Sequence, residues 1–442
     1  MKKILLIGNS PLPEENTSSR PAAGLRTHQF LEILRKNHIV QLVTIAMPEC
    51  YEKAVKPMKK RHDEGFSEAR ISKDDPGLPK FVQEVCDDFE PDVIVSVNTF
   101  PSFVASRLTF DAPLWCDLNG WVMAEGQAQA YKKNSNDYLG HYMAMEKSIL
   151  QRADKISTVS RRQADAILGE LAAFGRLNKA SFGYDFVAHI PNGTEHFDSD
   201  KAEKELAIDV PESAVVAAWI GGYNTWVDEE TLFEGLEAAM RKNDKLYFVS
   251  TGGSVKGLDK GTFGRFKEMI SESEYKARFV FLGWVETDQM AKIYGRADFG
   301  LNVDRMCTET QTGARNRVNE MMKFGLPVVT TRGSEIADEV SRVGAGIAVE
   351  SGNSEALAGA ILKICETDLS KMGENGKRYI KEECNYKKVM RPLTEWLKNP
   401  SKSPDADDKS RFRRAGKLKT FWKYLRENGL KKTFVKILQR IR

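Results

Sequence analysis

Short apolar runs alternate with amphipathic stretches along most of the sequence. The apolar and β-branched runs predict strands at residues 4–7, 40–45, 91–97, 113–120, 214–220, 246–253, 279–285, 299–303, 326–330 and 345–349. Apolar positions at helical spacing predict helices at residues 24–36, 137–153 and 315–324. Strands that alternate with helices in this way are typical of α/β proteins with parallel sheets.

The clearest of these segments begins with the strand at residues 299–303. A polar loop within residues 304–316 follows this strand, and the next helix is predicted to end at Gly325. Ser334 is predicted to cap the helix after it. Because ligands of parallel sheets bind beyond the carboxyl ends of the strands, we expect the chemistry at residues 304–316.

Length and composition limit the possible classes of protein. A chain of 442 residues is long enough for two or three domains, and 41% hydrophobic with 29% charged residues excludes wholesale disorder. No apolar run approaches the ~18 residues of a membrane span, and the first apolar run predicts a buried strand rather than a signal peptide. The six cysteines are scattered without paired spacing, which indicates reduced thiols and a cytoplasmic protein.

The positive charge is concentrated in one segment. The net charge of +4 combines +11 in residues 411–442 with −7 in the rest of the chain. Residues 398–410 are predicted to be a linker, and the tail after them has two apolar stripes at helical spacing among its Lys and Arg residues. Such cationic amphipathic helices suit an anionic membrane surface. The alternatives for such a tail are packing on the protein's own body and binding to nucleic acid. We expect no nucleic acid as a partner.

Several motifs resemble those of GT-B glycosyltransferases, in particular the large retaining group called group 1 or family 4. They are EMMKFGLPVV at residues 320–329, FVFLGWV at residues 279–285, ADKISTVS at residues 153–160 and IPNGTEHF at residues 190–197. The resemblance implies two Rossmann-like domains that face each other across a cleft. The expected organisation is an acceptor-side domain (residues 1–198), a hinge (199–213), a nucleotide-sugar-binding domain (214–397), a linker (398–410) and a basic amphipathic helical tail (411–442).

The resemblance implies a donor site in the second domain. The group binds the ribose hydroxyls through a Glu at the position of Glu320, for which a solvated helix residue is the alternative. Relatives usually have a second Glu eight positions before this one, where this chain has Thr312. Glu309 lies close by but not at that position. A glycine turn before a helix favours a diphosphate, and at most one of Arg315 and Arg317 is expected to face the cleft. The expected donor-binding residues are Gly221, Gly222, Asn224, Arg305, Thr312, Gly313, Arg315, Arg317 and Glu320.

The acceptor side is expected in the first domain. The first strand, glycine turn and helix resemble the start of GT-B chains, which makes Gly24 and Arg26 candidates, although a plain Rossmann-like turn explains them as well. Asn119 stands where relatives often carry a His. We therefore expect Asp117 and Glu125 to be the catalytic carboxylates near the acceptor hydroxyl, with a structural Asp at a strand end as the alternative for Asp117.

The expected reaction is metal-independent transfer of a hexosyl unit from a sugar nucleotide, with retention by family analogy. The sequence has no DxD after an apolar strand and no His/Cys cluster at ligand spacing, so no metal or other cofactor is expected. The expected acceptor is a sugar, a lipid-linked intermediate or a surface polysaccharide, handled by a cytoplasmic protein peripheral to the inner face of the cell membrane. A GT-B epimerase or phosphorylase and a non-catalytic sugar-nucleotide-binding protein are the alternatives.

Overall fold

Two α/β units, each built on a mainly parallel sheet, organise the structure. The computed structural model describes residues 1–15, 17, 22–194, 208–254, 261–285, 287–407, 422, 424–430 and 432. The strands are β1 (Lys3–Ser10), β2 (Ile39–Ala46), β3 (Met58–Arg61), β4 (Phe66–Ser72), β5 (Val93–Val97), β6 (Leu114–Leu118), β7 (Lys155–Thr158), β8 (Val187–His189), β9 (Val215–Trp219), β10 (Leu246–Thr251), β11 (Phe279–Gly283), β12 (Phe299–Asn302), β13 (Val328–Thr331) and β14 (Gly346–Val349).

Helices cover both faces of these sheets. They are α1 (Ala22–Leu34), α2 (Leu78–Phe89), α3 (Thr99–Ser106), α4 (Val122–Lys133), α5 (Leu139–Arg152), α6 (Arg161–Ala173), α7 (Glu229–Lys242), α8 (Gly261–Glu272), α9 (Thr287–Arg296), α10 (Thr308–Thr312), α11 (Asn316–Lys323), α12 (Glu335–Val343), α13 (Ser354–Cys365), α14 (Ser370–Glu383), α15 (Tyr386–Val389) and α16 (Arg391–Trp396).

The first sheet has the strand order β3-β4-β2-β1-β5-β6-β7-β8. Apart from β3, which pairs antiparallel with β4, its described strands run parallel, so their carboxyl ends share one edge. The central strand β1 is buried along almost its whole length, as expected for a strand covered by helices on both faces. This sheet is the frame of the first unit.

The second sheet has the order β11-β10-β9-β12-β13-β14, and its described strands are all parallel. The strand order reverses beside β9, which lies between β10 and β12. Such a switch point forms a crevice at the carboxyl ends of β9 and β12, between the connections that leave these two strands. The predicted α/β class with two Rossmann-like units is therefore confirmed.

Local details differ from the sequence predictions. The polar loop after β12 contains the short helix α10, and the hairpin strands β3 and β4 were not predicted. Asp228, for which no cap was predicted above, caps α7, since its side chain accepts a hydrogen bond from the Thr231 amide. The predicted cap at Ser334 is present, because its side chain accepts from the Ala337 amide at the start of α12.

The end of the predicted second domain packs on the first sheet. Val389, Met390 and Leu393, on and between α15 and α16, are buried in one core with Ile4 and Phe30. Residues 386–397 therefore cross back to the first unit, although the predicted second domain extends to residue 397. The unit to which these residues belong is decided by where their apolar side chains are buried and not by their order in the sequence.

Most of the predicted tail lies outside the described residues. Residues 424–430 are helical. Within the residues that the structure describes, no helix is both long and apolar enough to cross a membrane. The predicted hinge is described only from residue 208 onward.

Candidate functional site

A cleft lies where the carboxyl ends of β9 and β12 face the first unit. The two units touch here, since the Ser160 hydroxyl at the start of α6 donates to the carbonyl of Thr312 at 2.6 Å. A second contact joins the Asn319 side-chain amide to the Asn192 carbonyl at 3.2 Å. These bonds fix the positions of α10 and α11 relative to the first sheet.

Arg317 reaches the glycine turn that follows β9. Its Nη2 donates to the Gly222 carbonyl at 2.6 Å, and its guanidinium lies 4.3 Å from the centroid of the Trp219 ring. Its Nη1 is buried and has no hydrogen-bond partner among the described residues. Burial lowers the pKa of Arg317 to about 10, so the side chain keeps its charge at neutral pH. A buried guanidinium with an unused donor is suited to bind an anion.

The amides of the glycine turn are only partly available. The Gly221 amide donates to the Thr251 hydroxyl at 3.2 Å, and the Tyr223 amide donates to the Gly253 carbonyl. Gly221 has a φ of 89°, which a glycine adopts without strain. Of the Gly221, Gly222 and Tyr223 amides, that of Gly222 has no hydrogen-bond partner among the described residues. The carbonyl of Asn224 accepts from the Val227 amide, which closes the turn before α7.

Arg315 is fully engaged by protein carboxylates. Its Nε donates to Asp304 at 2.6 Å, and its two terminal nitrogens donate to Glu309 at 3.0 and 2.7 Å. Burial alone would lower its pKa, but the two carboxylates raise it. The residue precedes α11 and is buried, so only Arg317 of this pair has a donor left for a ligand. The expectation that Arg315 binds a phosphate directly does not fit this geometry.

Arg305 belongs to a second cluster of charges at the mouth of the cleft. Its Nη2 donates to Glu229 at 2.6 Å, and Glu229 also accepts from Arg265 at 2.8 Å and from Lys132 of the first unit at 3.4 Å. Burial alone would raise the pKa of Glu229, but the hydrogen bond from Arg305 and the other cations lower it. Three cations thus surround one buried carboxylate, which leaves positive charge facing the cleft.

Thr312 and Gly313 shape the turn between α10 and α11. The Thr312 hydroxyl donates to the Thr308 carbonyl at 2.8 Å, and the residue is buried. A Cβ at Gly313 would overlap the side chains of Glu309 and Arg315. Both residues therefore support the Arg315 cluster, and the Thr312 side chain is not placed to replace the missing Glu.

Glu320 lies on α11, three residues after Arg317, and its side chain is partly exposed. Its side chain is 41% exposed and lies 3.9 Å from Lys323. Partial burial raises its pKa, and Lys323 opposes that shift. An exposed carboxylate on the helix that also carries Arg317 can accept hydrogen bonds from ligand hydroxyls.

Glu125 approaches this site from the first unit. The α4 helix carries it, and Gly120, with a φ of 112°, gives it room because a Cβ there would overlap its carboxylate. Burial and then the negative charge of Glu309 raise the pKa of Glu125 to about 8, while Arg315 opposes this. The side chain is therefore largely protonated at neutral pH. Its pKa is close enough to neutral pH for it to gain or lose a proton there.

Asp117 and Arg26 form the frame of the first unit rather than a catalytic pair. Asp117 is 0% exposed and accepts from Arg26 at 3.0 and 2.8 Å and from Ser157 at 2.6 Å. Arg26 also donates to the carbonyls of Ile190 and Pro191 at 2.7 and 3.0 Å. This placement corrects the expectation that Asp117 meets the acceptor, because both of its carboxylate oxygens bind protein donors.

Gly24 is required for close packing. A Cβ there would overlap the carbonyl oxygen of Pro11 in the loop that follows β1. Asn119, which replaces the His of many relatives, donates to the Asn98 side chain at 3.1 Å. Neither residue presents a group that could transfer a proton to a ligand.

Lys132, Glu229 and Asn319 contribute to the cleft and were not predicted from the sequence. Asn319 has a buried side-chain oxygen without a partner among the described residues. Lys132 and Glu229 come from different units, so their contact depends on the tertiary arrangement. Asn319 is one or two residues from Glu320 and Arg317 on α11, and residues at these separations do not share a helix face, so no local pattern marks it. In the described part of the chain, no group of three or more His, Cys, Asp or Glu side chains could hold a metal ion.

Comparison with known proteins agrees with this arrangement. Residues 216–367 match the family model described as glycosyl transferases group 1. Sucrose-phosphate synthase from Thermosynechococcus elongatus is similar in structure, with a TM-score of 0.68 at 16% identity, covering 91% of this chain and 100% of that one. HepE of Anabaena, solved with UDP-glucose, has a TM-score of 0.61 at 14% identity, covering 90% of this chain and 100% of that one.

WaaG, a glycosyltransferase involved in lipopolysaccharide biosynthesis, gives a TM-score of 0.59 at 14% identity, again covering 90% of this chain and 100% of that one. No curated protein matches the sequence. The family model accounts for the half of the cleft that contains Arg317 and Glu320, and the structures share both sheets. These findings show that residues 216–367 match the glycosyl transferases group 1 model and that the chain as a whole has the GT-B fold of these structures.

Proposed function

We propose that this chain transfers a hexosyl unit from a sugar nucleotide to an acceptor held in the cleft, without a metal ion. The observation that carries the proposal is the unused, buried Nη1 of Arg317 beside the glycine turn. An unpaired buried donor costs free energy, and a bound diphosphate would remove that cost. The positive charge of Arg317 and its unused N–H group are held in position by the protein itself.

In this proposal the donor lies along α11 and the glycine turn. Arg317 and the Gly222 amide bind the diphosphate, and the amino end of α7 adds a favourable dipole. Glu320, on the same helix as Arg317, accepts hydrogen bonds from the ribose hydroxyls. HepE of Anabaena, which is similar in structure, was solved in complex with UDP-glucose, a compound of this chemical class.

Arg305 is the second cation that we assign to the donor. Its guanidinium is partly exposed and is held by Glu229, so it is positioned without being fully neutralised. Arg315 acts as a positioning residue, because its ion pairs hold Glu309 and the start of α11 in place. Preorganised charges of this kind stabilise the leaving diphosphate during the reaction.

The reaction forms a bond between the acceptor oxygen and the anomeric carbon as the bond from that carbon to the diphosphate breaks, and the proton of the acceptor hydroxyl passes to the leaving diphosphate. By analogy with group 1, we propose that both events take place on one face, with retention. Glu125 is the carboxylate that we place at the acceptor hydroxyl. With a pKa of about 8, it can hold the hydroxyl by a hydrogen bond in either protonation state.

We further propose a membrane-bound, lipid-linked saccharide as the acceptor, within polysaccharide biosynthesis. The basic segment at residues 411–442 would hold a cytoplasmic enzyme at the inner face of the membrane, since each Lys or Arg near an anionic surface contributes about 1 kcal/mol. The relative WaaG is described as acting in lipopolysaccharide biosynthesis, where a saccharide is built on a lipid.

A thermal-shift screen of sugar nucleotides, followed by product analysis, tests this function. The true donor should raise the melting temperature as its concentration rises, because it binds the folded state. Release of the nucleoside diphosphate together with transfer or hydrolysis of the sugar supports the proposal. An epimerised sugar or a sugar phosphate would support the epimerase or phosphorylase alternative, and binding without turnover would support a non-catalytic protein.

A further inference from the structure

Asn319 is a buried side chain at the contact between the two units. It is 8% exposed and lies on α11, two residues after Arg317 and next to Glu320. Its side-chain amide donates to the Asn192 carbonyl of the first unit at 3.2 Å, while its Oδ1 is buried without a hydrogen-bond partner among the described residues. A buried side chain that forms one hydrogen bond and leaves an acceptor unpaired adds little to stability. Stability alone therefore gives no reason for an asparagine at this position.

The carbonyl that accepts this bond lies in a turn that the first unit holds in place. Arg26 donates to the Pro191 carbonyl at 3.0 Å and to the Asn192 side chain at 3.3 Å. The Gly193 amide donates to the side chain of Gln29 at 3.3 Å. Arg26 and Gln29 both lie on α1, which packs on the first sheet. The turn is therefore fixed relative to that sheet and offers its carbonyl at a defined position.

The same contacts continue to the strand that precedes Glu125. Arg26 donates to both carboxylate oxygens of Asp117 on β6, and the chain leaves β6 through a short turn into α4, which carries Glu125. A series of polar contacts thus joins Asp117, Arg26, Asn192 and Asn319. One end of this series lies beside the carboxylate that we place at the acceptor, and the other end lies on the helix that we assign to the donor.

Other polar contacts between the units begin on other elements. The Ser160 hydroxyl binds the carbonyl of Thr312, at the end of α10. Arg162 pairs with Asp338 of α12, but these two side chains are 43% and 52% exposed. Ion pairs that are this exposed to water contribute little to holding two surfaces together. The bond of Asn319 is buried and starts on α11 itself.

We infer that Asn319 is a positioning residue, which holds α11 against the first unit at the separation that sugar transfer requires. This inference rests on the proposed function. Arg317 and Glu320 hold the donor on α11, whereas Glu125 meets the acceptor from the first unit, so the two reactants come together only when the units keep the right distance. A small displacement of bound reactants lowers the rate of reaction without removing a contact to either of them.

The variant Asn319→Leu tests this role. It replaces the amide by two methyl groups on the same branched side chain. We expect kcat for sugar transfer to fall about 5- to 10-fold, while the Kd of the donor changes by less than about 2-fold, because the donor-binding groups lie in the second unit. The melting temperature should stay close to that of the parent, since the unpaired Asn192 carbonyl replaces the unpaired Oδ1. Asn319→Ala, which adds no volume, should show the same division between kcat and Kd.

Asn375→Leu is the matched control. The Asn375 side-chain amide also donates to a backbone carbonyl, that of Gly344 at 3.1 Å, but both residues belong to the second unit. This variant should keep the kcat of the parent. An equal loss of kcat in Asn319→Leu and Asn375→Leu would overturn the inference. A loss of kcat in Asn319→Leu that is accompanied by an equal loss of donor affinity would overturn it as well.

Hydrogen exchange of the full chain gives a measurement that does not depend on turnover. We expect the amides of residues 190–194 and 316–323 to exchange faster in Asn319→Leu than in the parent or in Asn375→Leu, because the turn and α11 no longer restrain each other. Parent-like exchange in Asn319→Leu would overturn the inference even if the enzyme transfers sugar. A parent that turns over no sugar nucleotide would refute the proposed function, and the exchange rates would still decide whether Asn319 holds α11 against the first unit.

Discussion

Arg26 in the first half of the cleft and Arg317 in the second half differ in how completely the protein satisfies their guanidinium groups. Arg26 in the first half binds both oxygens of Asp117 and two backbone carbonyls. Arg317 in the second half binds one carbonyl and keeps a buried nitrogen without a partner among the described residues. A satisfied buried charge fixes the fold, whereas an unsatisfied one is available to a ligand.

Arg315 extends the comparison, because it lies two residues from Arg317 and behaves like Arg26. Two carboxylates neutralise it, whereas its neighbour Arg317 forms no ion pair within the described part of the chain. The two arginines thus separate a structural cation from the one that we propose binds the diphosphate. The predictions below test this separation, from the largest expected effect to the smallest.

The largest effect is expected from Asp117→Ala. Removing one partner of a buried ion pair should lower the free energy of unfolding by about 3–5 kcal/mol, because Arg26 would stay buried with its charge uncompensated. Urea unfolding measures this. Asp185→Ala is the control, since the Asp185 side chain is 77% exposed and its loss should cost at most about 1 kcal/mol. A stable Asp117→Ala protein that had lost only turnover would restore the catalytic role for Asp117.

Arg315→Gln should also destabilise the protein, by about 3 kcal/mol, because Asp304 and Glu309 would lose their shared cation. Arg317→Gln should leave the unfolding midpoint unchanged or raise it, since it removes an incompletely paired buried charge. Both variants are compared in one urea series. Equal destabilisation by the two changes would contradict the distinction between a structural and a binding arginine.

Glu320→Ala should weaken donor binding while the fold remains intact. Loss of hydrogen bonds to a charged group costs about 1.5–3 kcal/mol, or roughly 10- to 150-fold in Kd. Calorimetric titration with the donor found in the screen measures it, and Glu234→Ala on the exposed face of α7 is the control. Unchanged affinity in Glu320→Ala would exclude the ribose role.

A separate, pH-dependent effect is expected from Glu125. The folded protein holds its proton up to about pH 8, whereas an unfolded Glu loses it near 4.5. Stability from this group therefore falls as pH rises between those two values. Glu125→Gln should match the parent in melting temperature at the acidic end and exceed it at the alkaline end. A constant difference across this range would show that Glu125 is not protonated in the folded state.

The sequence predicted most of the fold, because buried parallel strands are continuous apolar runs. The strand and helix around residues 299–324 and the cap at Ser334 were found in this way. The site was predicted less completely. Asp117 and Glu125 are both carboxylates near the end of β6, and only the tertiary partner Arg26 shows that the first is structural.

The same reason explains the missed contacts. Lys132 and Glu229 lie in different units, and Asp405 meets Arg176 across more than two hundred residues of sequence. Residues 398–410 are polar, contain proline and lack periodicity, which predicts a linker. The burial of Ser403 and Asp405 cannot be recognised from the sequence, because it depends on the surface that binds them. Local pattern determines elements, whereas charge pairing between distant elements decides which polar residues remain for a ligand.

The most direct test of the central claim compares a nucleoside with its diphosphate in the parent and in Arg317→Gln. The nucleoside is the one present in the donor identified by thermal shift, and calorimetry gives the four Kd values. We predict that the diphosphate strengthens binding to the parent and that Arg317→Gln removes most of this gain, about 10-fold or more, while the nucleoside alone binds both proteins equally. An undiminished gain in Arg317→Gln would contradict the assignment of Arg317 to the diphosphate.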